Sequence, residues 1–103
     1  MNTLANNHDT LENLIYNEDW KIQAIDLHPD MDLMLIILNT GSVLKERISK
    51  YFLLTDVTKA ELMNYQFIGG GTGVHWPELD EDLSLKGFLR DAIREHVAGV
   101  RVA

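Results

Sequence analysis

Residues 69–84 run Gly69-Gly70-Gly71-Thr72-Gly73-Val74-His75-Trp76-Pro77-Glu78-Leu79-Asp80-Glu81-Asp82-Leu83-Ser84. Glycine reaches positive φ without a Cβ clash, so four glycines in five residues mark a flexible chain reversal. Val74-His75-Trp76 reads as a strand that pairs back on Tyr65-Gln66-Phe67-Ile68 or extends from it, and Pro77, lacking an amide donor, ends it. An acidic turn follows, and Ser84 can cap a helix. That helix has a one-sided apolar stripe of Leu85, Phe88, Leu89, Ala92, Ile93 and Val97, with Lys86, Arg90, Asp91, Arg94 and Glu95 facing out and Gly99 as its stop. A strand reversal feeding an amphipathic helix requires a sheet for the helix to lie on.

The rest of the chain supplies that sheet. Trp20, Ile22 and Ala24 alternate with polar residues, and the phase then moves by one place to Ile25 and Leu27, which predicts a bulge or a change of face. His28-Pro29-Asp30 is turn chemistry. The same tripeptide links helices in J-domain co-chaperones, but strands flank it here. Leu33–Leu38 is apolar throughout, as expected of a strand covered on both faces or central in its sheet. Asn39-Thr40-Gly41-Ser42 is a tight turn, and Val43–Ile48 returns as a third strand, its mixed Lys45-Glu46-Arg47 suiting a partly solvated position near an edge. Thr58-Lys59-Ala60-Glu61 matches a capping box opening a short helix, and Thr10 could cap a helical turn over 10–16. The polar, Asn-rich start reads as frayed. The prediction is an α+β fold, a small antiparallel sheet with a C-terminal amphipathic helix packed on one face. Residues 1–18 are expected to form a partly ordered N-terminal segment and 19–99 a single domain.

At 103 residues the chain has room for one core. It has no cysteine, so disulfides and thiolate metal sites are excluded and a reducing compartment fits. No window is long and apolar enough for a membrane span, and no basic region precedes an apolar run at the N-terminus, so the expected location is cytoplasmic. The net charge is −7, concentrated in residues 1–40, where seven acids face Lys21 alone, and in 62–82. Affinity for nucleic acid comes largely from cations set on phosphates, so nucleic acid is not an expected partner, whereas a protein with a basic surface is. A homodimer would give extra cover to central apolar strands in so short a chain.

Motifs that carry chemistry are weak. Gly71-Thr72-Gly73 lacks the further glycine and following helix of a dinucleotide loop and the Lys-Ser/Thr of a Walker loop. Asp80-Glu81-Asp82-Leu83-Ser84 starts like a calcium loop but has Leu85 where glycine is required; its carboxylates are better read as stabilising the positive end of the following helix. The four histidines show no ligand spacing. If Val74 and Trp76 face the core, His75 faces solvent or a groove beside the acidic turn. Trp76 suits a core position with one directed hydrogen bond, or an interface anchor if exposed. No nucleophile–base pair, cofactor signature or metal set is present, so no catalytic, cofactor or metal residue is assigned and a non-enzymatic role is expected. The candidate interaction or ligand surface is His75, Trp76, Glu78, Asp80, Glu81 and Asp82.

Three segments carry a family resemblance: Leu33 to Gly41, Phe67-Ile68-Gly69-Gly70-Gly71, and above all Val74 to Ser84. Over about Trp20 to Leu89 the chain resembles the small bacterial domain-of-unknown-function family 2442. Asn39-Thr40-Gly41 departs from it, standing where an Asp-Gly pair is expected; the turn survives the change. The resemblance implies a compact α+β domain on an antiparallel sheet. Some members carry a helix-turn-helix domain after it, for which this sequence leaves no room. It also implies a suspected toxin–antitoxin association. The functional expectation is a non-catalytic protein-interaction module, antitoxin-like or regulatory, with a small-ligand-binding domain as the alternative, its cleft near Gly69–Asp82.

Overall fold

A computed structural model describes residues 9–100, with the side chains of the last helix described through His96. The predicted fraying of the first residues therefore lies outside the described part of the chain up to residue 8. The elements in order are α1 (Thr10–Tyr16), β1 (Ile22–His28), β2 (Leu33–Leu38), β3 (Val43–Glu46), α2 (Lys59–Met63), β4 (Gln66–Ile68), β5 (Gly73–Trp76), β6 (Glu81–Ser84) and α3 (Leu85–Val100). Short 3₁₀ turns occupy Pro29–Met31, Ile48–Lys50 and Phe52–Leu54. The fold is α+β, as the pattern predicts, but the expected single sheet is two antiparallel three-stranded sheets, β1-β2-β3 and β4-β5-β6.

In the first sheet β2 is central. Its Met34, Ile36 and Leu38 are buried, while Leu33, Leu35 and Ile37 on the opposite face are only half-buried, so cover is complete on one side alone. The register shifts between Ile22 and Ala24, where the sequence phase changes. This extra residue lets Ile22, Ile25 and Leu27 all point inward. At the far strand the pairing Met34↔Glu46 puts Glu46 in the core-facing row. Glu46 is 5% exposed, so the solvated reading of Lys45-Glu46-Arg47 fails at its middle residue.

The second sheet contains an element the sequence concealed. Glu81–Ser84, read as an acidic turn, is strand β6, paired with β5 in the register Val74↔Leu83, His75↔Asp82 and Trp76↔Glu81. Val74 and Trp76 point to the core, and each buried apolar side chain contributes about 1.5–3 kcal/mol. The glycine reversal is a joint between the sheets, with little of the freedom its composition suggests. The Ile22 amide donates to the Gly71 carbonyl at 2.8 Å, and the Leu85 amide to the Thr72 carbonyl at 2.8 Å.

Ser84 caps α3, its hydroxyl accepting from the Gly87 amide at 3.0 Å. Leu85, Phe88 and Leu89 enter the core, but Ile93 is exposed and the helix continues through Gly99 to Val100. Val97, last in the predicted stripe, lies outside the described side chains. At α1 the cap is Asp9, in a reciprocal box with Glu12, and Thr10 is the first helical residue. Ile15 of α1 is buried in the common core. The predicted box at Thr58 and Glu61 is present and opens α2. Among the described residues no helix is long and apolar enough to cross a membrane.

Candidate functional site

The β5–β6 hairpin separates the six residues singled out from the sequence. Trp76 is fully buried and its ring N–H donates to the Leu62 carbonyl at 2.8 Å, which makes it a plug between the hairpin and α2. Its ring also lies near that of Tyr65, whose hydroxyl donates to the Ile25 carbonyl at 3.1 Å in the other sheet. Burial removes Trp76 from any docking surface. His75, one residue earlier, points to the opposite face and is partly exposed. It stands directly across from Asp82, and its Nδ1 contacts the Asp82 carboxylate.

The other acids do not converge on this pair. Exposed Glu78 accepts from the Asn64 side-chain amide at 3.1 Å, tying the corner to the end of α2. Asp80 is exposed with φ 52°, the left-handed conformation that Asp tolerates at turns. Half-buried Glu81 accepts from the Asp82 amide at 2.9 Å. Because β6 intervenes, at ~3.3 Å per residue, Asp80 stands roughly 10 Å or more from the start of α3. The helix dipole acts over about one turn, so Asp80 is not one of its N-terminal charges. Lys86 in the first turn of α3 instead draws in Asp9 at 3.0 Å and Glu12 at 2.9 Å, clamping α1 to α3. The Asp9 carboxyl is held below its ordinary range by the Glu12 amide and by Lys86, and the Glu12 carboxyl chiefly by Lys86.

Between α1 and the outer face of the second sheet lies an open groove of about 420 Å³, lined by Tyr16, Ile68, Gly69, Thr72, Asp82 and Lys86 among others. Beside it β4 forms the edge of the sheet. All three β4 residues are exposed, including Phe67 (39%) and Ile68 (42%).

Sequence reasoning missed a second cluster. The Lys50 ammonium lies 3.3 Å from Glu46 and 2.6 Å from Asp91, and over the Tyr51 ring. Burial pushes the Glu46 carboxyl above its ordinary range, Lys50 pulls against it, and Asp91 adds to the rise. Asp91 is also penalised by burial, but Lys50 and a hydrogen bond from Glu46 outweigh this and hold it low. Burial and the neighbouring carboxylates push the Tyr51 hydroxyl up strongly. The period-two spacing of Leu44, Glu46 and Ile48 was the available signal, since it places Glu46 on an apolar face. Asp91 was expected to face out because the helical stripe says nothing about a lysine in a distant 3₁₀ turn. Among the described residues no group of three or more His, Asp or Glu is arranged to hold a metal ion.

The family model described as "Protein of unknown function (DUF2442)" matches residues 24–94. No curated protein matches the sequence. Among solved structures, a protein of unknown function from Rhodospirillum rubrum is similar at 22% identity and a TM-score of 0.62, over 71% of this chain and 88% of that one. An uncharacterized protein from Chromobacterium violaceum is similar at 24% identity and a TM-score of 0.62, over 87% and 85% of the respective chains. At these identities the likeness shows the fold.

Proposed function

For a chain that belongs to DUF2442, a family of proteins of unknown function, we propose the role of a non-catalytic protein-interaction module that docks a basic partner on the edge of its second sheet. The observation that carries this reading is β4, an edge strand with every residue exposed and two of the three large and apolar. An open edge offers unpaired backbone groups to an added strand, and exposed Phe and Ile give that strand apolar contacts. Exposed Glu78, Asp80 and Asp82 on the neighbouring hairpin supply a negative field that favours cationic partners. In the cytoplasm such a module would act as an antitoxin-like or regulatory partner of another small protein, and a second copy is an alternative occupant of the same edge.

A photo-crosslinking residue at position 67, in protein expressed at its native level, tests this. The expected product is one stoichiometric, basic protein adduct that disappears when Ile68 is changed to Asp. Recovery of no stoichiometric adduct would remove the reading. An adduct of the chain with itself would assign the edge to a homodimer.

A second reading, a small-ligand site, is favoured by the groove between α1 and the glycine turn, which includes Gly69, Thr72 and Asp82 of the segment where the cleft was expected. Saturable amide shifts confined to Tyr16, Thr72 and Asp82 in a metabolite-mixture titration would support it. Their absence would end it.

A further inference from the structure

A roomier groove than the one beside α1 lies away from the second sheet. It occupies about 580 Å³ over the end of the first sheet, with Met31 and Leu33 along one wall, Lys45, Glu46 and Arg47 from β3 and the residue after it, and Lys50. In a chain of net charge −7 it gathers three of the nine Lys and Arg residues within six positions. We propose that this groove is a binding site for a small organic carboxylate, received by Lys45, Arg47 and Lys50.

The argument rests on which hydrogen-bonding groups are already used. Asp32, which also lines the groove, is occupied: one oxygen accepts from the Ser49 amide at 2.8 Å, the other from the Ser49 hydroxyl at 2.6 Å. Glu46 is committed to Lys50. Of the carboxylates facing the groove, Asp32 and Glu46 are therefore engaged and Glu95 has no partner among the described residues, while spare donor capacity lies in Lys45, Arg47 and Lys50. Lys45 is exposed and has no ion-pair partner among the described residues. Arg47 meets Asp32 only at 3.6 Å and keeps most of its five N–H groups. Lys50 gives two of its three N–H groups to Glu46 and Asp91, which hold the ammonium in place at the groove. Hydrogen bonds from these charged donors to a carboxylate are charge-assisted, and the anchored Lys50 fixes where the acceptor is met.

The remaining lining residue limits the class. Glu95 on α3 is exposed and has the same sign as an anionic ligand. It repels a ligand with charge along its whole length and admits one that is anionic at one end. Met31 and Leu33 offer an apolar wall for a short carbon skeleton. A polyphosphate or a nucleic-acid backbone fits neither feature.

The test is an amide-shift titration of the isotopically labelled full chain at low ionic strength with pyruvate, butyrate and tripolyphosphate. Saturable shifts centred on residues 45–50 with pyruvate or butyrate are expected. The double variant Lys45→Ser, Arg47→Ser changes only exposed side chains, and its spectrum reports directly whether it is folded. It should bind at least about tenfold more weakly. An Ile68→Asp variant should bind as wild type does, which separates this site from the sheet edge. The proposal is overturned by three results: no saturable shift, equal binding by the double variant, or tighter binding of tripolyphosphate than of either carboxylate.

Discussion

The Ile22 amide and the Gly71 carbonyl, 2.8 Å apart, join the two sheets of this protein through a backbone hydrogen bond. The close approach depends on the missing side chain. A Cβ on Gly71 would stand 3.0 Å from the Ile22 oxygen and 3.1 Å from the Lys21 Cβ, and Gly71 has φ +105°. The glycine run is thus needed for contact between layers as well as for the bend.

Gly71→Ala should therefore destabilise the fold more than Gly70→Ala. Both positions have positive φ, at about 1–2 kcal/mol for a residue with a Cβ, but a Cβ on Gly70 meets nothing within 4 Å. Urea unfolding of the two variants should rank them in that order. Equal losses would show that the sheets can separate at this point without cost.

Trp76→Phe should cost about 1–3 kcal/mol, because it takes the N–H partner from the Leu62 carbonyl in a dry site. Trp76→Ala should cost about 3–5 kcal/mol through lost burial. Thermal unfolding followed by far-UV circular dichroism measures both.

Thr58→Ala removes the side chain that accepts from the Glu61 amide at 3.1 Å, and about 1 kcal/mol of stability should go with it. Since α2 carries the Leu62 carbonyl, amide exchange at Leu62 and at the Trp76 ring should both quicken in this variant.

The pH dependence of stability should have two arms. The carboxyls of Asp9, Glu12, Asp32 and Asp91 are held below their ordinary values, so their contribution is present above the ordinary carboxylate range and lost as the pH falls through their folded values. Glu46 is raised by burial, so its contribution is full below its ordinary value of 4.5 and lost as the pH rises through its folded value. Glu46→Gln should flatten the loss on the alkaline side of that range and leave the acid arm in place. Denaturant midpoints measured across pH for both proteins decide the point. A wild-type curve as flat as the variant's would mean that Glu46 titrates normally.

Local patterns were read well where the decisive contacts are local. The reciprocal box at Thr58 and Glu61, the Ser84 cap, the turn at Gly41 and the phase change between Ile22 and Ile25 all rest on residues within a few positions of each other. Glu46, Asp91 and strand β6 were misread. Each is explained by a partner far along the chain: Asp91 is 41 residues from Lys50, and the strand at Glu81–Ser84 exists because β5 offers it a ladder. Its acidic composition disfavours a strand, and pairing with Val74 and Trp76 overrode that preference.

The amino-acid order alone thus determined the class of fold, the identity of most core strands, the final helix and the buried role open to Trp76, because periodicity, turns and caps are short-range physics. Only the tertiary structure decided that the strands divide into two sheets, that a glycine joins them, and that a buried glutamate and an aspartate hold Lys50 beside a groove. Those outcomes depend on which surfaces meet once the chain is compact, and burial and charge pairing between distant residues leave no spacing in the sequence to read.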